Sequence, residues 1–247
     1  MKKVLTFPAR QTDEDSCPAV QCRDCSFYRL GLAPGQSLAD PRLLEKIARN
    51  HRTLKRGDYL YRLGEPVHAI YAIRFGSFKS YVLTQDGRMQ ITGFKVAGEA
   101  MGLADLATGK HSTEAQALEP ASLCEIPLAH LDHLSRILPS FSRQLQGILS
   151  SEIHHYQCLA LVLGRKSAEE RLATFLLDLS ARYHARGFSA LSFNLSMSRG
   201  EIGTYLGIAE ETVCRLFTRF QDDGLIEAKR RLVRILSPDR MRALAQG

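Results

Sequence analysis

The run S-R-G-E-I-G-T-Y-L-G-I-A-E-E-T-V-C-R-L-F-T-R-F, residues 198–220, constrains this chain more tightly than any other stretch. Ser198 followed by Glu201 is a capping-box pattern, so a helix starts there. Ile202, Tyr205 and Leu206 give that helix an apolar face at helical spacing. Gly207 supplies a break, and Ile208 can plug the corner. A second helix is expected over 209–222, with Val213, Leu216, Phe217 and Phe220 inward and Gly224 as its stop. Glu211, Cys214 and Arg215 then share an outward face near its N-terminal end. Two short helices joined by a tight turn, with a polar face on the second, form the unit that lays a helix in the major groove of DNA. Arg215 suits a guanine edge and Glu211 a cytosine amino group. Ser198, Arg199 and Thr212 join Cys214 as further candidate contacts. The plainer alternative is a helical hairpin with solvated charges.

Charge and the following segment agree with a nucleic-acid partner. The net charge is +7 and the pI about 9.2, and residues 165–247 hold 14 Lys/Arg against 10 Asp/Glu. L-I-E-A-K-R-R-L-V-R-I-L reads as two strands around Lys229-Arg230-Arg231. That is a hairpin wing whose cations, Lys229 and Arg230 among them, are placed to touch phosphates. A solvated turn is the alternative. The longest apolar run, 158–163, is six residues, far short of the roughly 20 a membrane span needs. The first ten residues have a basic start without an apolar core, so no signal peptide is expected and the chain is assigned to the cytoplasm.

Structural disulfides are not expected in that compartment, which makes the cysteines informative. Cys17, Cys22 and Cys25 follow the spacing C-x4-C-x2-C. Thiolates this dense can share one soft metal centre, an iron–sulfur cluster included. Cys124, in the strand-like S-L-C-E-I-P, is the candidate fourth ligand. A zinc site, a dithiol switch and plain exposed cysteines are the alternatives.

Along the chain, residues 1–16 are polar and irregular, and 40 to about 50 read as a short helix with Asp40 at the N-cap. Between 52 and 127, short β-rich runs alternate with glycine turns: 59–62, 69–74, 77–83 and 90–94. Asp86-Gly87 marks a hairpin, and the whole suggests an antiparallel roll or barrel. Helices are expected over 128–138, 139–164 and 166–185, the last with Leu172, Phe175, Leu176 and Leu179 inward. Within 139–164, Leu149, Ile153, Tyr156, Ala160 and Leu163 recur at spacings of 4, 3, 4 and 3, a coiled-coil seam. Leu145, Ile148 and Leu159 form a second apolar edge beside it. Two edges suit a helix packed on its own subunit and on a second copy, a parallel homodimer. Burial wholly within one subunit is the alternative. The fold class is α+β, in four parts: a cysteine-rich arm (1–30), a β-roll sensor (31–138), a dimerisation helix (139–164) and a winged helix-turn-helix (165–247).

Y-A-I-R-F-G-S-F-K-S-Y, Q-I-T-G-F, A-Q-A-L-E, C-E-I-P, A-E-E-R-L-A-T-F, R-G-F-S-A and E-I-G-T-Y-L-G span nearly the whole sequence. Through them the chain resembles the CRP/FNR superfamily of bacterial transcription regulators, and within it the oxygen-sensing fumarate and nitrate reduction branch. The resemblance implies a regulator that holds a 4Fe–4S cluster in low oxygen, dimerises, binds inverted-repeat half-sites similar to TTGAT, and works with RNA polymerase. Cys22, Cys25 and Cys124 fall on its cluster-ligand positions. Gly31 stands where the family pattern has a further cysteine, so either Cys17, Cys22, Cys25 and Cys124 form a rearranged set or the cluster is weakened or lost. On the recognition helix the branch carries E-x-x-S-R, and here the run is Glu211-Thr212-Val213-Cys214-Arg215. Glu and Arg are kept. Cys is a weaker hydrogen-bond donor than Ser, which bears on the neighbouring base.

The cyclic-nucleotide branch needs an acid and an Arg-Ser pair, where this chain has Leu103, and His111 with Ser112, so no cyclic nucleotide is expected. A haem sensor would draw on His68, His111, His130 or His133. A metal-dependent enzyme would need a positioned base or nucleophile, and none is evident.

Overall fold

The glycine-punctuated runs pair into two antiparallel sheets. In this computed structural model, which describes residues 50–137 and 139–246, the strands are β1 (Asn50–Leu54), β2 (Tyr59–Tyr61), β3 (Ala69–Phe75), β4 (Ser77–Leu83), β5 (Met89–Val96), β6 (Ala100–Met101), β7 (Glu114–Ala117) and β8 (Ala121–Pro127). One sheet has the order β1-β8-β3-β6 and the other β2-β7-β4-β5. Cys17, Cys22, Cys25, Gly31 and most of the expected helix at 40–50 lie outside the described residues. Asn50 opens β1 instead, paired with Glu125 of β8.

Alternation along the strands drives one face of each sheet inward. Tyr61 of β2, Ile73 of β3, Phe78 of β4, Ala115 of β7 and Leu123 of β8 meet in one apolar core between the sheets. Gly76 makes the β3–β4 corner at φ +83°, where a Cβ would lie 2.6 Å from the Pro120 carbonyl oxygen. No larger residue fits without moving backbone. The Asp86-Gly87 pair turns β4 into β5: Gly87 N–H donates to the Thr84 carbonyl at 2.9 Å, and Leu83 pairs with Met89.

Helices α1 (Leu128–Ile137) and α2 (Pro139–Arg165) follow the roll, then α3 (Ala168–Ala185). The sequence predicts a start for α3 at Lys166. Ser167 is its N-cap, in a full capping box with Glu170, and that moves the start to Ala168. Next come β9 (Ser192–Asn194), α4 (Arg199–Leu206), α5 (Glu210–Asp222), β10 (Ile226–Lys229), β11 (Leu232–Ile235) and α6 (Pro238–Gln246). Sequence reasoning did not assign β9 or α6. β9 completes a three-stranded sheet, β10-β11-β9.

The roll is seated on the C-terminal unit by a shared core. Tyr81, Ile91, Phe94 and Val96 of β4 and β5 join Leu172, Phe175 and Leu176 of α3 and Ile202 and Tyr205 of α4. The rings of Phe94, Phe175 and Tyr205 lie 5.2–6.0 Å apart at tilted or edge geometries. Beside them Glu99, between β5 and β6, accepts from Arg182 Nε at 2.9 Å, Arg182 Nη2 at 2.6 Å and Arg186 Nη2 at 2.7 Å. Burial alone would raise its pKa. The two guanidiniums outweigh burial and hold the carboxyl down at about 2.

Candidate nucleic-acid interface

The helix pair is built by local chemistry. Ser198 Oγ accepts from the Glu201 N–H at 3.1 Å, and Glu201 Oε2 accepts from the Ser198 N–H at 2.7 Å. Gly207 closes α4 in the left-handed region at φ +63°. The two helices cross closely at Gly203, where a Cβ would stand 2.6 Å from the Ile208 carbonyl oxygen. Only glycine allows that approach. Ile208 is partly buried against the core, as a corner plug should be.

α5 begins after Ala209, whose side chain makes no cap, and Glu210 and Glu211 lie in its first turn against the positive dipole end. Val213, Leu216, Phe217 and Phe220 are buried. Glu211, Cys214 and Arg215 are exposed together, with Thr212 half-buried beside them. Arg215 Nη2 lies 3.3 Å from Thr212 Oγ1, a contact that steadies the guanidinium at the helix surface. Two of the expected contact residues are engaged inside the chain. Ser198 Oγ accepts the cap hydrogen bond, and Arg199 lays its guanidinium over the Phe217 ring at 3.3 Å.

The wing is β10 and β11, joined by Arg230 and Arg231, with Arg230 at φ +55°. Lys229 ends β10 and pairs with Glu227 at 2.9 Å, so its charge is partly offset. Arg230 and Arg231 are exposed at the tip.

On α2 the two expected edges part company. Leu145, Ile148 and Leu149 pack on Ile70, Leu103 and Ile126 of the roll, and Leu159 packs on the larger core. Leu163 is half-buried. Ile153 is 60% exposed, Tyr156 40% and the neighbouring Leu161 64%, and Ala160 is exposed too. Leu149 of the expected seam is thus used within the subunit, while Ile153, Tyr156 and Ala160 are left uncovered.

Of the expected metal ligands, Cys124 falls among the described residues. It is buried in β8, opposite His51 of β1 and Ala72 of β3. Its Sγ lies 3.7 Å from His51 Nδ1, and Arg74 Nη1 lies 3.1 Å from the same nitrogen. Partial burial first, and the Arg74 charge second, lower the His51 pKa. A buried thiol with an adjacent imidazole and a cation nearby suits a soft metal ligand. Among the described residues, no group of three or more His, Cys, Asp and Glu side chains could hold a metal ion.

Residues 170–244 match the Crp-like helix-turn-helix domain, and residues 51–136 the cyclic nucleotide-binding domain. The transcriptional activator protein Anr of Pseudomonas aeruginosa is 47% identical over 93% of this chain and 94% of its own length. The chain belongs to the CRP/FNR family of transcription regulators. The fumarate and nitrate reduction regulatory protein of Salmonella typhimurium is 39% identical over 96% of the chain and 94% of its own. The solved structure of FixK2 from Bradyrhizobium japonicum superimposes with a TM-score of 0.73 at 30% identity, covering 79% of this chain and 96% of that one. This CRP/FNR regulator is a DNA-binding transcription regulator, and its relatives carry the names of activators and regulatory proteins. Among the described residues no helix is long and apolar enough to cross a membrane.

In this CRP/FNR regulator two of the positions singled out above in the nucleotide-type domain, Leu103 and His111, are buried, and Ser112 is exposed. His111 is buried with its ring stacked on Tyr61 at 3.7 Å, and its Nδ1 lies 3.5 Å from Asp105 Oδ2. Burial lowers the His111 pKa against the pull of Asp105. His68 and His130 are exposed.

Proposed function

We propose that the chain is a cytoplasmic, homodimeric activator of genes for growth without oxygen. It reads inverted-repeat duplexes with half-sites similar to TTGAT and acts with RNA polymerase. The observation that carries this reading is the pairing, on one chain, of an exposed polar face on α5 with an uncovered apolar stripe on α2. The first suits a major groove and the second a copy of itself. Glu211 and Arg215 are assigned the G·C reading, and Cys214 and Thr212 the neighbouring base. Arg230, with Lys229 beside it, is assigned phosphate contacts. Ile153, Tyr156 and Ala160 form the dimer seam, with Leu149 and Leu163 at its margins. The four parts assigned from the sequence are kept as its working domains.

The oxygen response is assigned to Cys17, Cys22, Cys25 and Cys124. A 4Fe–4S cluster held by these thiolates would supply an oxygen-labile tie between the N-terminal arm and the roll. Cys124 is suited to its share by burial and by the imidazole beside it. The roll is in turn fastened to α3 and α4 through Glu99, Arg182 and Lys79, so ordering at Cys124 has a solid route to the DNA-reading unit. No cyclic nucleotide is assigned, since Leu103 and His111 offer neither the acid nor the arginine.

Iron and sulfide analysis after anaerobic reconstitution tests the assignment. Cys17→Ser should lower iron as severely as Cys22→Ser or Cys124→Ser. Cys158→Ser, at an exposed position of α2, should leave it unchanged. If the wild type takes up no iron, the cluster reading fails and a thiol-redox regulator takes its place.

A further inference from the structure

Arg171, in the first turn of α3, reaches back to two helix ends at once. Its Nε donates to the Lys166 carbonyl at 2.9 Å and its Nη2 to the Leu163 carbonyl at 2.8 Å. Its Nη1 donates to the Leu206 carbonyl at 3.0 Å. Leu163 sits in the last turn of α2, Lys166 directly follows it, and Leu206 is the last residue of α4. Carbonyls at a helix C-terminus have no donor within the helix and carry the negative end of its dipole. One guanidinium satisfies both ends. Its planar fork meets three fixed acceptors together, which a lysine's point charge cannot do.

The surroundings leave this junction little freedom. Only Lys166 and Ser167 link α2 to α3. Lys166 Nζ donates to Thr174 Oγ1 at 2.9 Å and to the Ala245 carbonyl at 2.6 Å, and Ser167 is committed to its capping box. At the other end of α4, Lys79 of the roll pairs with Glu201 Oε1 at 2.9 Å. Gln90 Nε2 donates to the Thr204 carbonyl at 2.9 Å. So α4 hangs from the roll at its start and from α2 at its finish, and the Gly203–Ile208 contact carries α5 with it.

We infer that Arg171 is a positioning residue for DNA reading. It fixes the angle between α2 and α5, and with it the separation of the two recognition helices in the dimer. This rests on the dimeric, two-half-site reading above. The donors of Arg171 are spent on Leu163, Lys166 and Leu206, so its effect on DNA is exerted through α4. Binding at the second half-site becomes intramolecular once the first is filled, and its gain depends on geometry. A loosened junction keeps each helix-turn-helix intact and loses that gain.

The test compares a duplex carrying one half-site with duplexes carrying two inverted half-sites at a series of spacings. Anaerobically reconstituted wild type, R171Q and R171K are titrated by fluorescence anisotropy, with sedimentation to follow the dimer. The wild type should gain at least about a hundredfold from the second half-site at one preferred spacing. R171Q should stay dimeric and bind the single half-site within about twofold of wild type, while the gain falls at least about tenfold and the spacing preference flattens. R171K, which keeps the charge and loses the fork, should move the same way by less. It also serves as the probe if R171Q does not fold. Unchanged gain and spacing preference in folded, dimeric variants overturn the inference. So does a parallel loss on both kinds of duplex, which would mean that Arg171 only stabilises the fold. If the wild type itself gains nothing from a second half-site, the two-half-site reading is what has failed.

Discussion

Replacing Ile153 by glutamate separates the subunit from the dimer. In the single chain Ile153 is 60% exposed, so a carboxylate there costs the subunit less than about 0.5 kcal/mol. In the proposed dimer the Ile153 of each copy is covered by the other. Full burial of an isoleucine contributes about 1.5–3 kcal/mol, so covering the exposed fraction on two subunits is worth roughly 2–3.5 kcal/mol. That contribution vanishes in the variant, and the desolvation of two unpaired like charges adds several kcal/mol more. The sum passes about 5 kcal/mol, which weakens the dimer by more than about a thousandfold. Sedimentation at micromolar concentration should therefore show a dimer for the wild type and a monomer for Ile153→Glu. Thermal melting of the isolated subunit should be little changed. A variant that stays dimeric at micromolar concentration would refute the seam, because no arrangement that covers Ile153 from both copies tolerates this change.

Arg215→Ala should cost about 1–3 kcal/mol at a specific site and relax selectivity at one G·C pair, whereas Arg230→Ala should weaken binding on all sequences and flatten the salt dependence; equal selectivity in both variants would remove α5 as the reading helix. Gly203→Ala forces a Cβ towards the Ile208 carbonyl oxygen 2.6 Å away, and should cost about 1–3 kcal/mol in stability while weakening DNA binding irrespective of sequence; a wild-type melting temperature would contradict the close crossing. Glu99 titrates near 2 in the folded chain against an ordinary value of 4.5, so the unfolded state binds the proton first. Its stabilisation is complete above that ordinary value and drains away as the pH falls towards 2. Glu99→Gln should flatten this acid limb in urea melts and cost about 3–5 kcal/mol at neutral pH by leaving two buried guanidiniums without their carboxylate. An unchanged acid limb would show that the ion network adds nothing.

Features with a local cause were legible in the sequence. Ser198 with Glu201, Gly207 and the apolar positions of α5 specify the helix pair within 23 residues, and Asp86-Gly87 specifies its hairpin. S-A-E-E at 167–170 carried the same capping pattern, and reading it would have placed the α3 start correctly. Pro238 after Ser237 was likewise a helix-start signal, followed by Met241 and Ala245 on the buried side of α6. β9 had no such signal. It is three residues long and exists because Phe193 pairs with Val233 of the wing. β1 is mostly polar, and its place is set by pairing with β8, which brings His51 to Cys124. The Lys79–Glu201 pair joins residues 122 positions apart, and the reach of Arg171 to Leu206 depends on where two other helices end. Pattern reading along the chain cannot see such contacts. It also gave no warning that Arg199 would stack on Phe217.

One titration tests whether the dimer on DNA depends on oxygen. Anaerobically reconstituted protein is titrated against a duplex with two inverted half-sites, its stoichiometry is read by sedimentation, and the same sample is exposed to air and titrated again. Two subunits per duplex and iron with sulfide in the protein are expected before exposure, then loss of both the iron and the tight binding afterwards. Equal affinity before and after air, or one subunit per duplex throughout, would contradict it.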